Sequence, residues 1–197
     1  MYRPGECTNP EAAAVLRFWF GAGDAYGKAD ARWFRKDPAF DAEIRTRFGA
    51  LVEAVSGGAH TDWLAAPGDC LARILVLDQF PRNLYRDSAR AFAADPLAKN
   101  AAQHALDAGY DRQMLPRERQ FAYLPFEHSE SLPDQQRCLD LMRSIAHFPG
   151  CEDLPKWAEA HLVIIRRFRR FPHRNKALGR ASTPEEIAFL ALPGSGF

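Results

Sequence analysis

The sequence lacks the features that would assign it to a disulfide-bonded, zinc-binding or membrane class of protein. Its four cysteines are scattered, and no two form a C-x-x-C pair. This spacing supports neither a disulfide framework nor a zinc knuckle, and it predicts reduced thiols in the cytoplasm. The longest apolar runs, such as residues 74–77, are far too short to span a bilayer, and the first residues contain no apolar signal core. We therefore expect a cytoplasmic protein with no membrane partner.

The sequence also lacks a charge excess and the common cofactor motifs. Its net charge is +1, so no overall field would attract nucleic acid. It contains no glycine-rich phosphate loop and no G-x-S-x-G nucleophile turn. A histidine pair at helical spacing, H-x-x-x-H, is absent as well, so the metal signal is weak. We predict no nucleic-acid partner, no cofactor and no metal site.

What the sequence does contain is the composition of one globular helical domain. Hydrophobic residues make up 47% of the 197 residues and charged residues 26%, which is an ordinary balance for a folded domain. Apolar residues recur at helical spacing along the chain, and alternation with period two is weak. We predict an all-α fold of packed antiparallel helices in a single domain spanning residues 1–197. Residues 1–9 are expected to form a disordered or extended tail.

Helix starts are marked by capping residues followed by proline, which needs no amide partner in the first turn. Pairs of this kind are Asn9-Pro10, Asp37-Pro38, Asp95-Pro96 and Thr183-Pro184. Residues 70–77 are apolar on almost every side, which predicts a central, buried helix. Pro81 is expected to end that helix, because proline supplies no backbone N–H.

Two short segments of the sequence resemble each other. Residues 79–83 (QFPRN) and 170–175 (RFPHRN) each follow an apolar helix. In one interpretation, proline ends each helix and the Arg and Asn side chains cover free carbonyls. In the other, these side chains bind an anionic ligand; the candidate ligand-binding residues are Gln79, Arg82, Asn83, His173, Arg174 and Asn175. Asp78, near the end of a buried helix, requires a partner, and Arg82 or Arg174 would serve.

A second polar group occupies residues 123–130 (YLPFEHSE), around an expected proline bend. Here His128 could act as a general acid or base, Glu130 could orient it and Tyr123 could donate a hydrogen bond, because histidine titrates near neutral pH. The alternative is that these side chains only satisfy the backbone of a loop. His161 faces an apolar helical stripe, where it is either a core residue with a protein partner or a ligand-binding residue.

The basic residues between positions 166 and 180 admit three interpretations. No acid interrupts this stretch, which could indicate nucleic-acid binding. Arginine near a helix C-terminus is favoured anyway, and the overall charge is near zero. We therefore favour a solvated face paired with acids from elsewhere in the chain, ahead of an anion pocket and of nucleic acid.

Several motifs in order make the sequence resemble the bacterial "domain of unknown function 924" family. They are residues 18–21 (FWFG), 33–37 (WFRKD), 75–86 (LVLDQFPRNLYR), 123–130, 170–175 and 182–186 (STPEE). The resemblance extends from about residue 12 to Phe197. It implies an all-helical fold similar to tetratricopeptide superhelices and no established activity. Glu127 departs from the family pattern, where an apolar residue such as Met is usual. This makes Glu127 a weaker candidate for the essential acid than His128 and Glu130 are for catalytic roles.

The sequence leaves three functions open. The first is a binding module with a polar groove, lined by Arg82, Asn83, Arg174 and Asn175, which takes an acidic peptide or a small anionic ligand. The second is a hydrolase or lyase acting on a small acidic metabolite, with His128 as general acid or base. The third is a purely structural role for all the polar groups. The first two require that these groups meet inside one helical bundle.

Overall fold

A computed structural model describes residues 5–194, which fold into α-helices joined by short loops and single 3₁₀ turns. The helices are α1 (Pro10–Phe20), α2 (Pro38–Ser56), α3 (Pro67–Leu84), α4 (Asp95–Asp107), α5 (Pro116–Glu127), α6 (Leu132–Ile145), α7 (Leu154–Phe168) and α8 (Pro184–Leu190). Within residues 5–194 there is no β-strand, so the all-α prediction is confirmed.

The predicted caps set the helix starts. The Asn9 side chain accepts two amide hydrogen bonds from the first turn of α1, and Asp37 does the same for α2. Thr183 and Glu186 form the predicted capping box of α8: the Thr183 hydroxyl accepts from the Glu186 amide, and the Glu186 carboxylate accepts from the Thr183 amide. Helix α4 begins at Asp95, as the Asp95-Pro96 pair predicts, but its N-cap is Ala94 and no side chain caps it, because the Asp95 carboxylate bonds to Arg82 instead.

Helix α3 is the centre of the fold, as its all-round apolar sequence predicts. Residues 70–77 are buried, the seven apolar ones completely, and α3 packs against α1, α2, α4 and α5. Helices α2 to α7 each pack against the next helix in the chain. A polar side chain on α3 must therefore find its partner inside the protein.

The two prolines expected to bend or end a helix lie inside helices. Helix α3 continues through Pro81 to Leu84, and α5 continues through Pro125 to Glu127, so the predicted end at Pro81 is wrong. Proline removes one helical hydrogen bond, which costs least in a last turn held from outside. Side chains hold this turn: Arg82 donates to the Asp78 carbonyl at 2.6 Å and Arg45 donates to the Leu84 carbonyl at 2.7 Å.

The N-terminal residues of the described range are extended and hydrogen-bonded to α3. The amides of Thr8 and Asn9 donate to Asp69 Oδ1 at 3.1 and 3.2 Å. A Cβ at Gly68 would lie 2.0 Å from the Glu6 carbonyl oxygen, so the close approach of this segment requires glycine there. The remainder of the expected tail, residues 1–4, lies outside the described residues.

After α7 the chain forms what we call the C-terminal strap, residues 172–183, which leads into α8. The strap contains one 3₁₀ turn, Pro172–Arg174. Phe171, just before it, is buried with Ile164 and Ile165 in a small apolar cluster separate from the main core. The strap places His173 and Arg174 beside polar groups of the helical body, as described next.

Candidate functional site

The site is built around a hydrogen-bonded Asp78–His128 pair. Asp78 lies on α3 and is fully buried, and His128 forms the C-cap of α5. The two elements pack together and bring His128 Nδ1 to 2.7 Å from Asp78 Oδ1. Because an ionised carboxylate can only accept, Nδ1 carries the proton and the Nε2 lone pair faces away from Asp78.

Electrostatics fix the charge states of this pair. Burial by itself would raise the pKa of Asp78, but His128 and Arg82 outweigh burial and hold it below its usual value. Burial, followed by the charge of Arg82, lowers the pKa of His128 despite Asp78 beside it. At neutral pH the pair is therefore an aspartate bonded to a neutral imidazole, which can accept a proton at Nε2.

Arg82 is an arginine whose donors are largely used inside the protein. Its Nη1 donates to the Asp78 carbonyl and lies 3.4 Å from Asp78 Oδ1. The same guanidinium forms a two-point bond to Asp95, with Nη1–Oδ1 at 2.8 Å and Nη2–Oδ2 at 3.0 Å. The sequence left Arg82 or Arg174 open as the partner of Asp78, and the structure pairs it with Arg82. Such two-point pairs fix orientation, so Arg82 joins α3 to the start of α4.

Arg174, from the strap, reaches the same carboxylate but is poorly satisfied. Its side chain is 7% exposed, and its Nη1 lies 3.4 Å from Asp95 Oδ2. The guanidinium lies over the rings of Phe92 and Phe171, 4.7 and 4.5 Å from their centroids. Its Nε is buried and has no hydrogen-bond partner. Burial, followed by repulsion from Arg82, lowers the pKa of Arg174 to about 10, so it remains charged.

Behind His128 lies a neutral layer of buried groups. Glu127 Oε2 is 3.8 Å from Cys138 Sγ, and Glu127 Oε1 is 3.6 Å from His161 Nδ1. Burial raises the pKa of Glu127 to about 8 and lowers that of His161 to about 3. His161 Nδ1 also lies 2.9 Å from the Trp157 carbonyl, to which it donates as a neutral ring. Glu127 and His161 are thus neutral neighbours and do not form an ion pair at pH 7.

Four other predicted residues lie in or beside this cluster. Gln79 Nε2 donates to Asp78 Oδ2 at 2.5 Å. His173 lies on the strap, where burial, followed by the charge of Arg174, lowers its pKa to about 4. Glu130 is at the edge: it accepts the Phe171 amide at 2.7 Å and pairs with Arg180. His161, in the neutral layer, completes the set.

Three predicted residues are bonded elsewhere. The Tyr123 hydroxyl donates to Asp111 at 2.9 Å. Asn83 donates to Asp41 at 2.7 Å, on the α2 side of α3. Asn175 faces α8, where it donates to Ser182 and Glu186; the groove expected from Arg82, Asn83, Arg174 and Asn175 together therefore does not form from these four side chains.

Sequence reasoning missed Asp95 and Phe92 as site residues, and it placed Arg180 only within the basic stretch. Asp95 was recognised only as the start of α4, which it is, and nothing in that local signal shows that two arginines share its carboxylate. Phe92 has no sequence signal at all. The favoured interpretation of the basic stretch is supported, because Arg167, Arg170 and Arg180 pair with acids: Glu185, Glu186 and Glu130.

Two surface clefts lie away from this cluster. One, of about 170 Å³, is lined by Glu53, Tyr85 and Arg90 among others, and one of about 340 Å³ by Asp41, Arg45 and Arg86 among others. Neither includes His128 or Arg174. Between residues 5 and 194, no three His, Cys, Asp or Glu side chains are grouped as metal ligands would be. In the same range no helix has the length and hydrophobicity of a membrane span.

Comparison with known proteins now identifies the family. The profile described as "Bacterial protein of unknown function (DUF924)" matches residues 15–194. The chain belongs to this bacterial DUF924 family. The resemblance noted in the sequence is therefore confirmed, and no protein with a curated description matches the chain.

A solved structure supports the architecture of this DUF924 protein. The chain is similar to the "Structure of Protein of Unknown Function ATU0120 from Agrobacterium tumefaciens", with 39% sequence identity and a TM-score of 0.82. The alignment covers 92% of this chain and 97% of the other. The helical arrangement that brings Asp78, Arg82 and His128 together is thus built on a fold that this solved structure shares.

Proposed function

We propose that this DUF924 protein binds a small anionic ligand, such as a carboxylate or a phosphate, at Arg174. The observation that carries the proposal is the buried Arg174 guanidinium, whose Nε has no hydrogen-bond partner and whose Nη1 is 3.4 Å from its acid. A buried donor without an acceptor costs about 1–3 kcal/mol. An oxyanion bonded to Nε would remove that cost and add a charge-assisted hydrogen bond.

The surroundings favour a small ligand over an acidic peptide. Arg174 is enclosed between the Phe92 and Phe171 rings, and the two clefts described above do not reach it. A peptide would need an open groove beside the guanidinium. Arg82, by contrast, already has two bonds to Asp95, so we assign it to positioning and Arg174 to the ligand.

Thermal unfolding with added anions tests the proposal. Succinate and inorganic phosphate serve as probes, and a probe present at 100 times its Kd stabilises the folded state by about 2.7 kcal/mol. We expect Arg174→Gln to abolish the stabilisation. Arg166→Gln is the matched control, because it removes the same charge from an exposed side chain that is bonded only weakly, at 3.3 Å, to Gln136. Equal stabilisation of wild type and Arg174→Gln by both probes would contradict the proposal.

A second candidate, a small-molecule hydrolase or lyase, is favoured by the Asp78–His128 pair. A neutral imidazole fixed at Nδ1 by a buried carboxylate is the arrangement of a general base. In this candidate His128 accepts a proton at Nε2, Asp78 takes the orienting role that the sequence suggested for Glu130, and Arg174 holds the anionic substrate.

The two candidates are separated by His128→Asn, whose side-chain amide can still donate to Asp78. We expect this variant to keep the anion-induced stabilisation. Hydrolysis of p-nitrophenyl phosphate or p-nitrophenyl acetate, if catalysed by wild type, should fall by about 100-fold or more. Absence of activity in wild type, together with retained anion binding, would favour the binding module.

We also infer the finer architecture and location. The successive packing of α2 to α7, each on the next helix, supports a single domain wound as a superhelix similar to tetratricopeptide proteins. Four free thiols, three of them buried, support a cytoplasmic location. Solution scattering, compared with a compact bundle, tests the superhelix.

A further inference from the structure

We propose that the C-terminal strap, residues 172–183, is a lid over the anion site and that the Glu130–Arg180 ion pair is its latch. This inference rests on the proposed function, because the site it covers is the Arg174 site. The strap would open to admit the ligand and close to bring Arg174 onto it.

The first argument is that the strap supplies part of the site. Asp78, Arg82 and His128 come from α3 and the end of α5, whereas Arg174 comes from the strap. Arg174 is only 7% exposed in the closed arrangement. A ligand that bonds to its Nε must therefore enter while the strap is displaced.

The second argument is that the strap is internally bonded and can move as a unit. The amides of Arg174, Asn175 and Arg180 donate to carbonyls within residues 171–175. The Asn175 side chain accepts from Arg180 Nε at 2.9 Å and donates to Ser182 Oγ at 3.0 Å. When the strap is displaced, water reaches these short turn bonds, so their amides can exchange without global unfolding.

The third argument is that both ends of the strap have anchors outside it. Phe171 is fully buried with Ile164 and Ile165 of α7. At the other end, the Phe189 ring of α8 packs on Phe168, with centroids 5.1 Å apart. A loop whose ends are held close together by packing can swing between them.

The latch joins the middle of the strap to the loop between α5 and α6. Arg180 Nη1 donates to Glu130 Oε2 at 2.7 Å, and Arg180 Nη2 donates to Glu130 Oε1 at 2.9 Å. Glu130 also accepts the Phe171 amide. This two-point pair, two residues after His128, is partly exposed, so water can replace it when the strap opens.

Hydrogen exchange of the backbone amides at 174, 175 and 180 tests the lid. In wild type we expect these amides to exchange at least 10-fold faster than the amides of α3, because they open without global unfolding. Arg180→Gln should speed their exchange by about a further tenfold. Arg167→Gln, which breaks the exposed Arg167–Glu185 pair nearby, is the matched control and should leave the exchange rate of the strap amides unchanged. Glu130→Gln is a second latch variant that keeps an acceptor for the Phe171 amide.

Chemical access to His128 tests whether the strap covers the site. Diethyl pyrocarbonate modifies accessible neutral imidazoles, and peptide mass spectrometry reports each histidine separately. We expect Arg180→Gln to speed modification of His128 by about tenfold and to leave the exposed His147 unchanged.

The lid would be overturned if the strap amides exchanged only as fast as those of α3. It would also be overturned if Arg180→Gln and Arg167→Gln had equal effects on amide exchange and on the modification of His128. Neither readout uses an anion. Failure of succinate and phosphate to stabilise the protein would instead overturn the proposed function, so the two failures are distinguishable.

Discussion

The two similar segments of the chain, residues 79–83 and 170–175, each bring an arginine to the Asp95 carboxylate, and the two arginines differ in how many hydrogen bonds they make. Arg82, on the last turn of α3, forms a two-point bond to Asp95 and also bonds to the Asp78 carbonyl. Arg174, on the strap, has one long contact to Asp95 and a buried Nε without a partner. Arginine thus has well-formed hydrogen bonds in the first segment and a buried donor without an acceptor in the second.

The difference teaches that local sequence similarity does not determine role. A helix turn packed on α2 and α4 holds Arg82 in one place, where it bonds to the buried Asp78 and the partly buried Asp95. The strap holds Arg174 beside a carboxylate that Arg82 already bonds at two points. Arg174 therefore keeps a buried Nε donor without an acceptor, and an external anion would supply one. Five substitutions test this comparison and the buried groups around it, given in order of expected effect.

Arg82→Gln should have the largest effect, because it leaves Asp78 fully buried without its guanidinium. We expect a loss of about 3 kcal/mol in the free energy of unfolding, within the range for breaking one partner of a buried pair. Urea unfolding followed by circular dichroism measures it, with Arg166→Gln as the exposed control. A loss below about 1 kcal/mol would mean that Arg82 contributes no more to stability than we expect of Arg174.

Glu127→Gln tests whether the layer of buried groups behind His128 is neutral. Unfolded glutamate loses its proton near pH 4.5, whereas buried Glu127 holds it to about pH 8. Between these values the folded state binds more protons, so wild-type stability declines as pH rises. Glutamine imitates the protonated form and should be more stable than wild type at pH 8 by on the order of 2 kcal/mol.

The control for this prediction is the same pair of proteins at pH 4, where wild-type Glu127 is protonated in both states. We expect nearly equal stabilities there. A glutamine variant that is less stable than wild type at pH 8 would mean that Glu127 is ionised and compensated by a positive group.

The asparagines of the two segments should differ in the reverse order to the arginines. We expect Asn175, in residues 170–175, to contribute more to stability than Asn83, in residues 79–83. Asn175 is 1% exposed and bonds at both ends of its amide, whereas Asn83 is 9% exposed and donates to an acid that Arg86 also holds. We expect Asn175→Ala to cost about 2 kcal/mol and Asn83→Ala about 1 kcal/mol in unfolding free energy. Equal losses in chemical denaturation would indicate that the strap is no better organised internally than the end of α3.

Arg174→Gln should have the smallest effect on stability. Asp95 keeps Arg82, and the variant relieves the repulsion and burial that lower the pKa of Arg174. We expect a change in unfolding free energy below about 1 kcal/mol, measured by urea unfolding without added anions. A loss near that of Arg82→Gln would assign Arg174 to the structure, as in the purely structural interpretation of these groups.

Much of the fold could be predicted because its signals are local. Caps such as Asn9 and Asp37, and the all-round apolar character of residues 70–77, act within one or two turns of a helix. The helix end at Pro81 could not be predicted from the proline, because side chains from elsewhere hold that last turn. The site was predictable in part: Arg82, His128 and Arg174 do meet, but Asn83 and Asn175 turn to other partners.

The sequence by itself determined the helices, the buried position of Asp78 on α3 and its need for a positive partner, because burial of a charge in an apolar helix permits little else. Only the tertiary structure decided that His128 and Arg82 serve Asp78, that Asp95 receives two arginines, and that Arg174 is left without a partner at Nε. These outcomes depend on contacts between residues up to 79 positions apart. Such pairings are set by how helices and strap pack, and no local pattern encodes them.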